Sequence, residues 1–162
     1  MNMARNDEPQ STQRNTEMSH RPECEPQSAQ RRTEMVSSPE ETNRITEAVI
    51  GAAIEVHKAL GPGFLESIYE EAFCVELSLR GVKYTRQAPV AMDYKGHRIG
   101  ESRMDLLVED AVIVELKAVD ALAPVHTAQV ISYLKATGCR IGLLINFNVK
   151  RLTDGIRRIV HD

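Results

Sequence analysis

One fifteen-residue stretch, RMDLLVEDAVIVELK at 103–117, constrains the fold more than any other part of the chain. Side chains in a strand alternate between two faces, so the stretch predicts two strands that share one wholly apolar face. That face consists of Met104, Leu106, Val108, Val112, Val114 and Leu116. A three-residue turn at 109–111 would pair Val108 with Val112 and would set Asp105 opposite Glu115. The sequence therefore predicts a β-hairpin with two carboxylates facing each other.

Like charges directly opposed on a sheet are destabilising. A divalent cation between Asp105 and Glu115 would reverse that cost, because hard cations prefer carboxylate oxygens. Lys117 lies two residues beyond Glu115 on the same face and would point its ammonium at the same spot. Two carboxylates and a lysine around one metal ion can cut a phosphodiester bond. Hairpins also carry such charges on solvated faces, so this pattern alone leaves both interpretations open.

Length and composition indicate a globular domain of ordinary size. The chain has 162 residues and a net charge of -3, which confines any nucleic-acid footprint to a local surface. No apolar run approaches the roughly 20 residues of a membrane span, and the start lacks the apolar core of a signal peptide. The three cysteines are widely separated and lack zinc-ligand spacing. They indicate free thiols in a reducing compartment, and we expect a cytoplasmic protein.

Residues 1–37 differ in composition from everything that follows. They contain no Leu, Ile, Phe, Tyr or Trp, so we expect a disordered polar tail before a folded domain at 38–162. The segment EPQSTQRNTEM at 8–18 recurs as EPQSAQRRTEM at 25–35. Two interpretations stay open: the tail is a tether, or it is a duplicated upstream stretch translated from a misplaced start, with Met35 as the natural initiator.

Caps and apolar spacing predict helices that begin at Ser38, at about Phe64 and at about Val125. The first is expected to bury Ile45, Val49, Ala52, Ala53, Val56 and Leu60, and the second Ile68, Ala72, Val75 and Leu79. Besides the hairpin, strands are predicted at 82–87, 90–94, 141–147 and 156–160. This order indicates an α/β domain with a mixed central β-sheet flanked by helices.

Two further patterns lie on the predicted helices. Glu66 and Tyr69 follow Gly63 at intervals of three residues, and Gln129 and Tyr133 are spaced i, i+4. Each pair shares a helical face. Glu66 also suits a first helical turn, where it meets the helix dipole, and the second pair also suits the polar edge of an amphipathic helix.

Together these residues resemble a known family. Asp105 followed by Glu115-Leu116-Lys117 is similar to the metal-binding core of the PD-(D/E)XK nuclease superfamily. The segment QVISY resembles the QxxxY motif of its RecB-like branch, and VHKALGPGFLESIYEEAF closely resembles the GxxExxY family. The similarity covers about residues 42–160 and implies a restriction-endonuclease-like core.

The resemblance implies a role for each matching residue. Asp105 and Glu115 would bind Mg²⁺ or Mn²⁺ together with the backbone carbonyl of Leu116. Glu66 would reach the metal directly or through a water molecule. Lys117 would orient the attacking water and offset charge on the phosphate, and it should stay charged between two carboxylates.

The resemblance also implies contacts to the substrate and a class of reaction. Gln129 and Tyr133 would hold the substrate strand or support the metal shell, and Tyr69 would join them. The implied function is a metal-dependent nuclease acting on DNA. The alternative is a catalytically inactive module of the same fold that binds nucleic acid or a partner. The sequence shows no added specificity domain, so target choice would come from a homodimer or from a partner chain.

Overall fold

The computed structural model describes residues 37–162. The predicted tail, except its last residue, therefore lies outside the described residues, as do the internal repeat and Met35. Within the described range, no helix combines the length and the hydropathy needed to cross a membrane. Both cysteines in this range, Cys74 and Cys139, are free thiols.

The described chain forms three α-helices, one short 3₁₀ helix at Leu152–Gly155 and five strands. The helices are α1 (Pro39–Leu60), α2 (Glu66–Leu79) and α3 (Pro124–Thr137). The strands are β1 (Tyr84–Tyr94), β2 (His97–Val108), β3 (Val112–Lys117), β4 (Ile141–Asn146) and β5 (Ile156–Val160). The two strands predicted at 82–87 and 90–94 are one continuous strand, β1.

The five strands form one mixed sheet in the order β1-β2-β3-β4-β5. The pairs β1/β2, β2/β3 and β4/β5 are antiparallel, and β3/β4 is parallel. Because β3 and β4 are parallel, a crossover connection must join them, and α3 supplies it. The predicted α/β architecture with a mixed central sheet is confirmed.

Helices cover both faces of the sheet. Buried side chains of α1 and α2 pack with alternate residues of β3 and β4 into one cluster, which includes Val112, Val114 and Leu116. The intervening residues of these strands, such as Ile113, pack with α3 into a second cluster. The sheet is thus buried on both faces around β3 and β4, which explains their near-continuous apolar sequence.

The first helix begins as predicted. Ser38 is its N-cap and accepts a hydrogen bond from the Glu41 amide at 3.1 Å, and Pro39 is the first helical residue. The predicted stripe is buried at Val49, Ala52, Ala53 and Val56.

The second helix packs on a different face from the one predicted. Its buried residues are Tyr69, Glu70, Phe73, Cys74 and Leu77, whereas Ile68, Val75 and Leu79 are 45%, 54% and 78% exposed. The predicted apolar stripe therefore faces outward. The physical reason is that two aromatic rings fill more of the core than the aliphatic stripe would, and Glu70 can enter the core because it has partners there.

Candidate active site

The centre of the predicted hairpin is a point where β2 and β3 separate. The turn pairs Val108 with Val112 as predicted, and the ladder then runs only to Leu106 and Val114. Beyond this last pair, the Asp105 carboxylate replaces a backbone acceptor. Its Oδ2 accepts a hydrogen bond from the Leu116 amide at 2.7 Å. Asp105 is therefore held at the mouth of a gap between the two strands.

On its other side, β2 is also unpaired at Asp105. The register of β1 and β2 pairs Arg86 with Leu106 and Ala88 with Met104, but the intervening pair of Gln87 with Asp105 is missing. Gln87 has a φ of 50°, in the left-handed region that few L-residues adopt. We call this local feature the Gln87 bend, comprising Gln87 and Asp105.

The strands change faces at the Gln87 bend. Tyr84 and Leu106 pack with the cluster under α1 and α2, whereas Ala88 and Met104 pack with the cluster under α3. The prediction of one wholly apolar hairpin face is therefore wrong at Met104. The strict alternation of side chains between the two faces fails because the left-handed backbone conformation of Gln87 twists the paired strands β1 and β2 at this point.

A buried carboxylate on α2 holds the bend. Glu70 is 8% exposed. Both of its carboxylate oxygens accept hydrogen bonds from the side-chain Nε2 of Gln87, at 3.1 and 3.0 Å. Its Oε1 also accepts a hydrogen bond from the Arg86 guanidinium. Sequence reasoning missed all three residues. Glu70 follows Glu66 by four residues on the same helix face, but its partners lie on a strand that sequence spacing does not connect to α2.

Glu115 and Lys117 lie side by side next to the gap. The Lys117 ammonium donates to Glu115 Oε1 at 2.8 Å. Glu115 is 2% exposed, and its other oxygen, Oε2, is buried without a hydrogen-bond partner among the described residues. A buried carboxylate oxygen without a donor is costly, so this atom is suited to receive a cation.

Burial raises the pKa of Asp105 to about 7, and the nearby charge of Glu115 adds to the rise. The Leu116 amide and the Lys117 charge oppose it. Burial also raises the pKa of Glu115. Burial lowers the pKa of Lys117, but its hydrogen bond to Glu115 and the surrounding carboxylates outweigh this, so the net shift is upward. The lysine is thus expected to remain charged, in agreement with the sequence analysis.

Glu66 begins α2 and is half-buried. Its charge contributes to the upward pKa shifts of Asp105, Glu115 and Lys117, so the structure brings it to the same site. However, no three His, Cys, Asp or Glu side chains within residues 37–162 are grouped closely enough to hold a metal.

The donor set at the gap fits a hard divalent cation. Asp105 and Glu115 supply carboxylate oxygens, and one of these, Glu115 Oε2, accepts no hydrogen bond from the described part of the chain. Because the amide and carbonyl of one strand residue point to the same side, the Leu116 carbonyl faces the gap that its amide faces. Mg²⁺ accepts a few protein oxygens and keeps several waters, so two carboxylates and one carbonyl suffice.

The end of β3 is fixed by β4. Lys117 pairs with Asn146 in the parallel ladder, and its carbonyl accepts from the Phe147 amide at 2.9 Å. The Asn146 side chain is buried and bonds both the amide and the carbonyl of Val119, at 3.1 and 2.8 Å. Asn146, which sequence reasoning also missed, thereby holds the segment that follows the lysine.

Gln129 and Tyr133 share one face of α3, as predicted. The Tyr133 hydroxyl donates to the Arg103 carbonyl at 3.0 Å, lies 3.0 Å from Ser102 Oγ and accepts from Gln129 at 3.0 Å. Tyr133 is 2% exposed. It is placed to support β2 next to Asp105, while half-buried Gln129 retains access to solvent.

Tyr69, which was predicted to contact the substrate, is fully buried in the metal-free, substrate-free protein. Its hydroxyl donates to the Gly61 carbonyl at 2.6 Å and accepts from the Phe64 amide at 3.2 Å. Its ring stacks on Phe147 with centroids 4.6 Å apart. Tyr69 therefore fixes the loop between α1 and α2, which in turn sets where Glu66 begins its helix.

Comparison with known proteins agrees with this geometry. Among curated proteins, none matches the chain. The sequence model of the PD-(D/E)XK nuclease superfamily matches residues 43–159, which include the whole sheet core and every residue of the site. The chain belongs to the PD-(D/E)XK nuclease superfamily.

Proposed function

We propose that this protein is a Mg²⁺- or Mn²⁺-dependent nuclease that hydrolyses phosphodiester bonds in DNA. The observation that carries the proposal is the gap between β2 and β3. There, a carboxylate with a pKa raised to about 7 lies beside a charged lysine and a buried carboxylate oxygen for which residues 37–162 supply no hydrogen-bond donor. A divalent cation bound by the two carboxylates would offset the cost of burying their charges.

Within the superfamily, we propose that the chain is a member of the GxxExxY family. Gly63 has a φ of 106°, a conformation that favours glycine. Glu66 contributes its charge to the site, and Tyr69 anchors the intervening loop through Gly61. The three spaced residues thus lie in or beside the loop that leads into α2.

The residues of the chain have separate tasks in the reaction. Asp105 and Glu115, with the Leu116 carbonyl, would hold the cation, which lowers the pKa of a bound water and neutralises phosphate charge. Lys117 stabilises the negative charge that grows on the phosphate as water adds and a phosphorus–oxygen bond breaks. Because its pKa is raised, Lys117 acts as a fixed cation and does not accept the proton of the attacking water.

The test is cleavage of labelled single-stranded, double-stranded and branched DNA, with RNA in parallel, by the full chain with Mg²⁺ or Mn²⁺. Asp105→Asn is the informative variant, because it keeps an acceptor for the Leu116 amide while removing the charge. Asp93→Asn is the matched control, because Asp93 is exposed and lies on β1 near the turn into β2. We expect metal-dependent cutting by the wild type and by Asp93→Asn and at least a hundredfold less by Asp105→Asn.

Equal activity of the three proteins would indicate a contaminating nuclease and would refute the proposal. DNA binding that is unaffected by metal, without cutting, would instead favour an inactive binding module.

A further inference from the structure

The loop that follows β4 lies next to the site, on the side of β3 away from β2. Because β3 and β4 are parallel, both strands end at the same edge of the sheet. The loop begins at Phe147, whose amide donates to the Lys117 carbonyl at 2.9 Å. We call residues 147–151 the β4 loop. Its Lys150 is three residues beyond Phe147, so the Cα atoms of these two residues are at most about 11 Å apart.

The β4 loop is fixed from several directions. His57 on α1 donates from Nε2 to the Val149 carbonyl at 2.8 Å. The Asn148 amide donates to Oδ1 of buried Asn146 at 3.2 Å. A side chain at Gly155 would collide with the Asn146 carbonyl, so the 3₁₀ helix packs its backbone directly against the start of the loop. A loop held in this way loses little conformational freedom when a ligand binds to it.

The β4 loop carries two consecutive basic residues. Lys150 and Arg151 are both exposed, and neither forms an ion pair with another residue between 37 and 162. The acidic residue that contacts the loop, Asp120, accepts a hydrogen bond from the Asn148 side chain at 3.4 Å. Building on the proposed nuclease function, we propose that Lys150 and Arg151 bind phosphates of the DNA strand that enters the site.

The order of the strands supports this assignment. The hairpin register pairs Leu106 with Val114, so continuing it by three residues would set Arg103 opposite Lys117. Lys150 follows β4, on the other side of β3. These three basic residues therefore follow the order of β2, β3 and β4 along one edge of the sheet. Each strand of B-DNA carries a phosphate about every 3.4 Å along the axis, so Lys150 lies within reach of phosphates about three nucleotides from the scissile bond.

The test is fluorescence anisotropy of labelled single-stranded and double-stranded DNA with the full chain, over a salt series and with Ca²⁺ replacing the catalytic metal. We expect Lys150→Ala and Arg151→Ala each to weaken binding about three- to tenfold. Each should also reduce the slope of log affinity against log salt concentration by about 1, because one fewer counterion is released. Both variants should keep the wild-type melting temperature, since the two side chains are exposed.

Lys135→Ala is the matched control. Lys135 is likewise an exposed lysine, and it forms no ion pair within residues 37–162. It lies in the last turn of α3, which leads into the start of β4, at the opposite end of that strand from the β4 loop. Its replacement should change neither the affinity nor the salt slope. A loop variant that binds DNA like Lys135→Ala, or one that loses affinity without a change in slope, would overturn the proposal.

Cleavage assays with Mg²⁺ or Mn²⁺ on the same proteins separate this proposal from the proposed nuclease function. A wild type that binds DNA with the expected dependence on Lys150 and Arg151 but does not cut it would support the role of the loop and contradict the nuclease. A wild type that cuts DNA while its affinity is unaffected by either loop substitution would overturn the role of the loop alone. A wild type that does not bind DNA would also overturn it.

Discussion

At the scale of single residues, Asp105 is held in place at a cost to the metal-free protein. Within the described sheet it pairs with neither β1 nor β3, it accepts a hydrogen bond from the Leu116 amide, and its carboxylate is buried beside Glu115. The hydrogen bond and the unfavourable charge can be separated, because an asparagine side chain still accepts a hydrogen bond. Substitution can therefore show what the charge itself contributes.

We expect Asp105→Asn to stabilise the metal-free protein. The folded-state pKa of Asp105 is raised from 3.8 to about 7, so its ionisation opposes folding. This penalty is absent below the unfolded-state pKa, grows as the pH rises towards 7 and is constant above it. Thermal melts in a chelator should show the largest gain for the variant above pH 7 and a shrinking gain towards pH 4. Added Mn²⁺ should stabilise the wild type only. A variant less stable than the wild type at pH 8 would contradict this prediction.

The same raised pKa predicts how metal affinity depends on pH. A cation binds the ionised carboxylate, so Asp105 must lose its proton when the metal binds below about pH 7. We expect the Mn²⁺ association constant to rise about tenfold per pH unit up to about pH 7 and to level off above it. Calorimetric titrations in two buffers of different ionisation enthalpy would measure both the affinity and the protons released. An affinity that is constant between pH 5.5 and 7 would contradict the assignment of Asp105 as a ligand.

At the scale of secondary-structure elements, the Gln87 bend determines where β2 leaves its neighbours. Glu70 on α2 accepts hydrogen bonds from the side-chain amide of Gln87 at the bend. Tyr133 on α3 donates to the backbone carbonyl of Arg103, two residues before Asp105 on β2. The bend is thus fixed from both faces of the sheet.

Two substitutions at Gln87 separate its backbone conformation from its side-chain contacts. Alanine removes the contacts to Glu70 and is disfavoured at a φ of 50°, whereas glycine removes the same contacts but adopts that φ freely. We expect Gln87→Ala to cost about 1 to 3 kcal/mol and to weaken Mn²⁺ binding. Gln87→Gly should retain more of both. Urea unfolding and Mn²⁺ titration measure the two effects. Equal metal affinity in both variants would show that the bend does not position Asp105.

The two buried tyrosines should respond differently to loss of their hydroxyls. Tyr133→Phe leaves the Arg103 carbonyl without its donor, two residues from Asp105. It should destabilise the fold by about 1 to 3 kcal/mol and lower kcat. Tyr69→Phe should cost a similar amount of stability while leaving KM for DNA unchanged, because Tyr69 is buried and cannot contact substrate. Unfolding curves and steady-state cleavage assays distinguish the two. A raised KM for Tyr69→Phe would restore the substrate role that its sequence position suggested.

The features that the sequence predicts depend on neighbouring residues, whereas those that it misses depend on contacts between residues far apart in the chain. The turn after Val108 and the positions of Asp105, Glu115 and Lys117 follow from local alternation, and the hairpin register is the predicted one. The Gln87 bend depends on Glu70, which is seventeen residues away in sequence, so no periodic pattern indicates it. The inward face of α2 was missed because it includes Glu70, a charged residue whose partners are visible only in the folded domain.

At the scale of the whole molecule, the net charge of -3 does not favour DNA binding, so DNA must be attracted by a local group of basic residues. The site lies at the carboxyl end of β3, and Arg103 stands two residues before Asp105 with a side chain 61% exposed. Arg140, with a side chain 57% exposed, precedes β4, whose first residue pairs with Val112 at the opposite end of β3. These two arginines are similarly exposed, but only Arg103 lies near the proposed site.

Arg103→Ala should therefore weaken DNA binding at every sequence tested, whereas Arg140→Ala should have little effect. If Arg103 neutralises one phosphate, its loss should also reduce the slope of log affinity against log salt concentration by about 1, because one fewer counterion is released. Binding is best measured by fluorescence anisotropy over a salt series, with Ca²⁺ replacing the catalytic metal so that the DNA stays intact. Arg103 also contacts Glu101 and the Gln87 carbonyl at 3.7 and 3.5 Å. Unchanged melting temperature would therefore be required before the loss is assigned to DNA. Equal effects of the two substitutions would mean that DNA does not approach the protein along β2.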